Sequence, residues 1–310
     1  MHAIEVNEVT KTYGDVTALD SLSLAVEKGS TFGLLGTNGA GKSTLFKLLV
    51  GHIDPDAGSL AVSGTDVATA GAAIRREVGY LPEHAGFPPA LTGREVLAFT
   101  ARMHDLTAPN ERITNVLSVV GLEDAADRRV GGYSNGMTRR LGLATALLSQ
   151  PKILLLDEPT AGLDPRGVSM FHRTVRHLAD SEDLTVVLSS HVLSEAESLC
   201  DSVAILHEGC LQAEGSVAAL KRQSDTVVDV HIRLRTPDDV DDVRETISAH
   251  DGDVSSVTGS SLAVKCPPSM AIDLVSTLDN TVELDGYEIR EPGLERVFER
   301  ALTKPARMYE

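Results

Sequence analysis

The chain has 310 residues, 42% hydrophobic and 24% charged, enough apolar material for one large domain or two ordinary ones and too much for a disordered chain. Its 28 basic and 45 acidic side chains leave a net charge of -17, and no dense Lys/Arg cluster offsets it, so nucleic-acid backbones and anionic lipid would repel it. Three cysteines, Cys200, Cys210 and Cys266, lack the short paired spacing of a metal site and are expected as reduced thiols of a cytoplasmic protein.

The N-terminal MHAIEVNEVTKTYG has no charged region followed by an apolar one, so it is not expected to be a signal peptide. No apolar run reaches the roughly 18 residues that span a bilayer. Residues 3 to 9, AIEVNEV, and 22 to 26, LSLAV, alternate with the period of half-buried strands, and KTYGDVTAL between them is expected to be turn-like. STFGLLG predicts a short buried strand that enters a glycine-rich turn, and STLFKLLVG follows with helical spacing. Strand, glycine loop and helix open a parallel α/β unit.

From about 86 to 150 the pattern is helical. LTGREVLAFTARMH has Thr92 and Glu95 in a capping-box arrangement, with Val96, Phe99 and Met103 on one face. ERITNVLSVVGL predicts a second helix. A third is entered at Ser134, carries Met137, Leu141, Ala144 and Leu148 as a stripe, and stops at Pro151. KILLLD at 152 to 157 and LTVVLSS at 184 to 190 predict central parallel strands, and VAILHEG with CLQAEG a closing hairpin. The first domain is thus expected over 1–220.

Residues 221–310 predict a separate, small α+β domain. Its pieces are a strand in KRQSDTVVDVHIRLRT, an acidic-fronted helix in DDVDDVRETISAH, a strand in SLAVKC, then PSMAIDLVSTLD and YEIREPGLERVFERAL, with Pro292 starting the last helix. The acidic run Asp238 to Asp242 is expected to be a solvated helix N-terminus rather than a metal site.

The strongest chemical signal is GTNGAGKST: Gly36, Thr37, Asn38, Gly39, Ala40, Gly41, Lys42, Ser43 and Thr44. Its glycines let backbone N–H groups turn inward around phosphates, Lys42 brings a compact cation, and the Ser43 hydroxyl suits Mg2+. ILLLDEP ends a buried strand in two carboxylates: Asp157 is placed for the Mg2+ shell, and Glu158 is the better group to orient or deprotonate water. LSSHVL puts His191 at another strand end, where it could contact a terminal phosphate. YSNGMTRR offers a helix entrance suited to an anion, yet holds no acid or base for catalysis.

GTNGAGKST, YSNGM, LLLDEPTAGLD and SSH, in this order, resemble the ATP-binding cassette family over roughly residues 1 to 220. The resemblance implies a P-loop NTPase (RecA-like) core with an antiparallel β subdomain and a helical insertion. It implies ATP hydrolysis with ATP and Mg2+ between two cassettes closed head to tail, the expected pair being two identical chains. Carried over, Ser134 and Gly136 grip a nucleotide held by the other chain, Tyr13 stacks on adenine, and Ala161 to Asp164 form the loop that crosses the interface. Glu83, in VGYLPE, stands where the family usually has a glutamine ligand to Mg2+. Tyr133, Asn135 and Met137 depart from the commonest signature, whereas Ser134 and Gly136 keep it.

These departures are similar to the multidrug, antibiotic and sodium efflux group, whose membrane partners are separate ABC-2-type permeases, and EPGLERVFERAL is similar to that group's closing helix. The implied protein is a cytoplasmic subunit held at the inner face of the membrane by a permease, with no nucleic-acid partner. An importer cassette with a regulatory tail is the nearest alternative. A translation or chromosome-maintenance ATPase is a weaker one, because the chain has one P-loop, no sustained heptads and no basic surface. The acidity, with arginine outnumbering lysine, suits a salt-adapted surface. On that reading the denaturation midpoint rises in molar KCl as self-repulsion is screened; a stability curve that gains nothing from salt removes it.

Overall fold

The computed structural model describes residues 1–181, 184–224, 227–236, 239–290 and 293–303. The chain divides into two compact units: Met1–Ser216, to which 301–303 also belong, and Val217–Arg300. Pro292 and Asp238, named above as helix-start residues, lie outside the described residues.

In the first unit β1 (His2–Tyr13) and β2 (Val16–Glu27) form a hairpin whose turn is only Gly14 and Asp15. The expected turn-like KTYGDVTAL is therefore mostly strand. Register shifts between Val9 and Lys11, and between Lys11 and Thr12, break the period-2 pattern there and hid the pairing. β3 (Thr31–Gly36), buried at every residue, leads through the glycine loop into α1 (Lys42–Leu49). β4 (Ala57–Val62) and β5 (Thr65–Asp66) complete a four-stranded antiparallel sheet of order β2-β1-β4-β5. Two single-turn helices, α2 (Val67–Ala70) and α3 (Ile74–Glu77), then precede β6 (Val78–Leu81).

α4 (Gly93–Met103), α5 (Pro109–Val119) and α6 (Asn135–Leu147) form the helical block. The capping box is present: Thr92 Oγ1 accepts from Glu95 N, and Glu95 Oε2 accepts from Thr92 N at 2.8 Å. α4 does not pack by the expected face. Val96, Leu97 and Ala101 are buried, whereas Phe99 and Met103 are 61% and 72% exposed.

β7 (Ile153–Leu156), α7 (Pro165–Ser181), β8 (Thr185–Ser190), α8 (Leu193–Leu199), β9 (Ser202–His207) and β10 (Cys210–Ser216) finish the unit. The six-stranded sheet has order β10-β9-β3-β8-β7-β6 and is parallel except for β10. Its short inner strands are wholly apolar or buried because both faces are covered. Register pairs Leu81 with Leu156, Leu156 with Leu188, and Leu35 with Ser190, so the strand ends come into line.

The second unit starts with α9 (Val217–Ser224), which takes residues that the sequence pattern assigned to a strand. It continues as β11 (Val228–Leu234), α10 (Val240–Ala249), β12 (Asp253–Thr258), β13 (Ser261–Cys266), α11 (Pro268–Thr281), β14 (Leu284–Arg290) and α12 (Leu294–Thr303). The order βαββαβ with sheet order β12-β13-β11-β14 is a split βαβ arrangement. Val230, Ile232, Val264, Ile247, Leu274 and Leu278 make its core. β12 had no sequence signal because its side chains are almost all exposed. Among the described residues no helix is long and apolar enough to cross a membrane.

Candidate active site

The loop after β3 is shaped by contacts that only small residues permit. Gly41 has φ 103°, and a Cβ on it would lie 2.4 Å from the Ala18 carbonyl oxygen. Ala40 N donates to Thr37 O at 3.1 Å, and Gly209 N donates to Ala40 O at 3.2 Å. α1 begins at Lys42 without a side-chain cap, so its first N–H groups face the loop's hollow. Lys42 is almost fully buried. Its Nζ donates to Gly36 O at 2.8 Å and Thr37 O at 3.2 Å, and lies 3.2 Å from Glu158 Oε1.

The two carboxylates after β7 diverge, as expected of adjacent strand-end residues. Asp157 is held by the Ser189 hydroxyl, which donates to Oδ1 at 2.7 Å, and by the Tyr80 hydroxyl, which donates to Oδ2 at 3.4 Å. Burial and the neighbouring Asp157 push the Tyr80 hydroxyl pKa up, so it stays a donor. Glu158 points the other way, with Oε2 2.8 Å from His191 Nδ1. Its backbone has φ 41°, the left-handed region that L side chains avoid, and its N–H donates to Ser189 Oγ at 2.9 Å.

Behind this pair lies a carboxylate that sequence reasoning missed. Glu195, 6% exposed, accepts from Thr160 Oγ1 and from Ser190 Oγ, the latter at 2.7 Å, with His172 Nε2 3.5 Å away. Burial alone would raise its pKa; the contacts with His172, Thr160 and Ser190 outweigh burial and hold it below the ordinary value. It thereby ties the segment after Glu158 to the strand end before His191.

A cavity of about 400 Å³ is lined by Asn38 to Thr44, Glu83, Glu158 and His191, together with Ala18 and Ala161. Other residues singled out in the sequence lie outside that lining. Tyr13 ends β1 with about half its surface exposed and Lys11 Nζ 5.8 Å from its ring centre. Ser134 is the N-cap of α6, its Oγ accepting from Met137 N at 3.3 Å, and Gly136 lies in the first turn. Asp164 Oδ1 accepts from Gly167 N at 2.7 Å at the start of α7.

A family model described as ABC transporter matches residues 19–161. The chain is 40% identical over 221 residues to the bacitracin transport ATP-binding protein BcrA of Bacillus licheniformis, covering 71% of this chain and 72% of that protein. It is 36% identical over 306 residues to the Nod factor export ATP-binding protein I of Bradyrhizobium diazoefficiens, covering 96% and 95%. A solved structure of the ATP binding subunit of an ABC transporter has a TM-score of 0.65 and 29% identity, over 72% of this chain and 93% of that one.

The chain belongs to the ABC transporter family. It is an ATP-hydrolysing subunit with the cassette fold: P-loop core, antiparallel β subdomain, helical insertion and a small C-terminal α+β unit. The cavity beside Lys42 is where this ABC subunit presents its loop amides, its buried cation and the Glu158–His191 pair together. Ser189 and Tyr80, which hold Asp157, had no motif of their own, although Ser189 sits within the quoted SSH.

The loop's tolerance separates two kinds of glycine. Gly41→Ala combines the clash at Ala18 with positive φ and is expected to cost about 3 kcal/mol or more and to abolish ATP binding. Gly39→Ala meets nothing within 4 Å and carries only the strain of φ 83°, expected at about 1 kcal/mol. Urea denaturation and equilibrium binding of a fluorescent ATP analogue on both variants check the contrast; equal losses would contradict it.

Proposed function

We propose that two copies of this chain close on ATP and drive export through a separate ABC-2-type membrane permease. The observation that supports this reading is the division of the site: Lys42, Glu83, Glu158 and His191 face one cavity, whereas Ser134, Gly136 and Asp164 lie outside its lining. The latter group acts on a nucleotide held by the facing chain, where the unpaired N–H groups and dipole at the α6 entrance favour an anion. Ala161 to Asp164 cross between the chains.

Within one chain the loop from Gly36 to Thr44 wraps the phosphates, Lys42 neutralises the outer ones and Tyr13 stacks on adenine. Glu158 orients and deprotonates water, with His191 beside it contacting the terminal phosphate. Ser43, Asp157 and Glu83 are oxygen donors of the kind Mg2+ takes, so these residues fit the ion. When bound, Mg2+ supplies charge neutralisation on the phosphate oxygens. Glu83 brings a formal charge where a glutamine would bring a neutral oxygen, which changes the charge balance of the site.

Export as the direction is supported by the Nod factor export protein, similar along nearly the whole chain. Phe99 and Met103, one helical turn apart and exposed on α4, form the apolar pair on which the permease docks, with Glu83 and its loop carrying closure to the helical block. The accessory domain over 221–310 contacts the second copy or the permease. The working location is the cytoplasmic face of the membrane, with no nucleic-acid partner.

Glu158→Gln is expected to bind ATP, to hydrolyse it about 100-fold or more slowly, and to accumulate as a dimer in size-exclusion chromatography. Unchanged steady-state hydrolysis removes Glu158 from the catalytic role. Mixing a Lys42→Ala chain with a Ser134→Arg chain is expected to restore one composite site and hence activity above either alone. A mixture no more active than its components speaks against the cross-chain site.

A further inference from the structure

Arg139 follows Ser134 by five positions on α6, yet its guanidinium reaches into the sheet edge rather than out to solvent. It is 6% exposed and makes five hydrogen bonds, all to main-chain carbonyls. Nε donates to Pro159 O at 2.7 Å. Nη1 donates to Pro82 O at 2.5 Å and Glu83 O at 2.7 Å, and Nη2 to Asp157 O at 2.5 Å and Glu158 O at 2.8 Å. A guanidinium has five N–H bonds, so its donor capacity is matched by its acceptors.

This is a costly way to fill space. Burial lowers the Arg139 pKa, yet a guanidinium remains charged in proteins. Among the described residues no carboxylate side chain is hydrogen-bonded to it; the carbonyl dipoles, with the nearby charges of Asp157, Glu83 and Glu158, offset its desolvation. Those carbonyls belong to two segments, 82–83 after β6 and 157–159 after β7. They include the peptide groups of Glu83 and Glu158, whose side chains line the cavity. Glu158 needs such support, because its φ of 41° is unfavourable, and Arg139 holds its carbonyl while Ser189 Oγ holds its N–H.

We propose that Arg139 is a positioning residue for hydrolysis: it locks the main chain that aims Glu158 and Glu83 into the cavity, and fastens that main chain to α6. With Ser134 and Gly136 at the entrance of the same helix, the facing chain's nucleotide and this chain's own hydrolytic carboxylate are joined by one rigid element. This second clause rests on the cross-chain reading above; the first does not.

The test uses Arg139→Lys, which keeps the charge but not the planar fork, in the full-length chain. In the uniform variant kcat is expected to fall about 10- to 100-fold, the scale of an ångström-level misplacement, with KM for ATP changed less than about 3-fold. In the Lys42→Ala with Ser134→Arg mixture, the Ser134→Arg chain supplies the working cavity. Arg139→Lys on that chain is expected to cost at least about five times more in kcat than the same change on its partner.

An unchanged kcat overturns the proposal, and so does a fall in kcat that only tracks the folded fraction measured by thermal melting. Equal losses from either chain overturn positioning within one chain. Should Arg139→Lys not fold, Arg139→Gln, which retains an N–H donor pair, is read by the same kcat against KM criterion. An inactive parent mixture overturns the cross-chain reading alone, and the uniform variant still decides the role of Arg139.

Discussion

A parallel sheet delivers the C-terminal ends of its strands to one edge, and the chemistry of this chain depends on that constraint. β3, β8, β7 and β6 are neighbours in register although they are far apart in sequence. The segments that follow them carry the phosphate loop, His191, the Asp157–Glu158 pair and Glu83. Each strand is only four to six residues long and buried, so a slip by one residue would disrupt the packing against both covered faces and turn the terminal groups to the wrong face. The register that satisfies the core is thus the same register that assembles the site.

Charge then decides how the edge is held together. Lys42 is buried beside two carbonyls and Glu158, and Glu158 in turn contacts His191. Neither Lys42 nor Glu158 has much water, so each depends on the other for compensation. On the proposed function, a phosphate entering the loop would compete with Glu158 for Lys42, and a carboxylate released from the lysine would keep His191 as its partner. The exchange needs no large motion, because the carboxylate already touches both groups.

The parts of this arrangement legible in the sequence are those whose chemistry is local. GTNGAGKST demands glycines where the backbone has positive φ or closely approaches a neighbour; Thr92 and Glu95 cap a helix within one turn; ILLLDEP shows a buried strand that ends in acids. What escaped were contacts made across the fold to main chain or through hydroxyls. Arg139, Ser189, Tyr80 and Glu195 are invisible to periodicity, because their roles depend on which strand end lies opposite them. Phe99 was misread for a related reason: apolar spacing gives a helix face, but packing against α5 and α6 selects Val96 and Leu97 as the buried side.

Ser134 and Asp164 both cap helices, and the difference between their caps separates what each can offer a second chain. Asp164 is engaged by Gly167 N at 2.7 Å, and its carboxylate would repel a phosphate in direct contact, so on the proposed function it acts on the facing nucleotide through the crossing loop whose turn it fixes. Ser134 accepts from Met137 N at a longer 3.3 Å. A hydroxyl that accepts one hydrogen bond still has its own hydrogen to donate. At the α6 entrance that hydrogen is free to turn to the side of the unpaired backbone N–H groups, which on the proposed function faces an anion held by the second chain. The serine's stability role and its proposed ligand role are therefore compatible, whereas an arginine at this position would bring a positive charge and lose both the cap and the room.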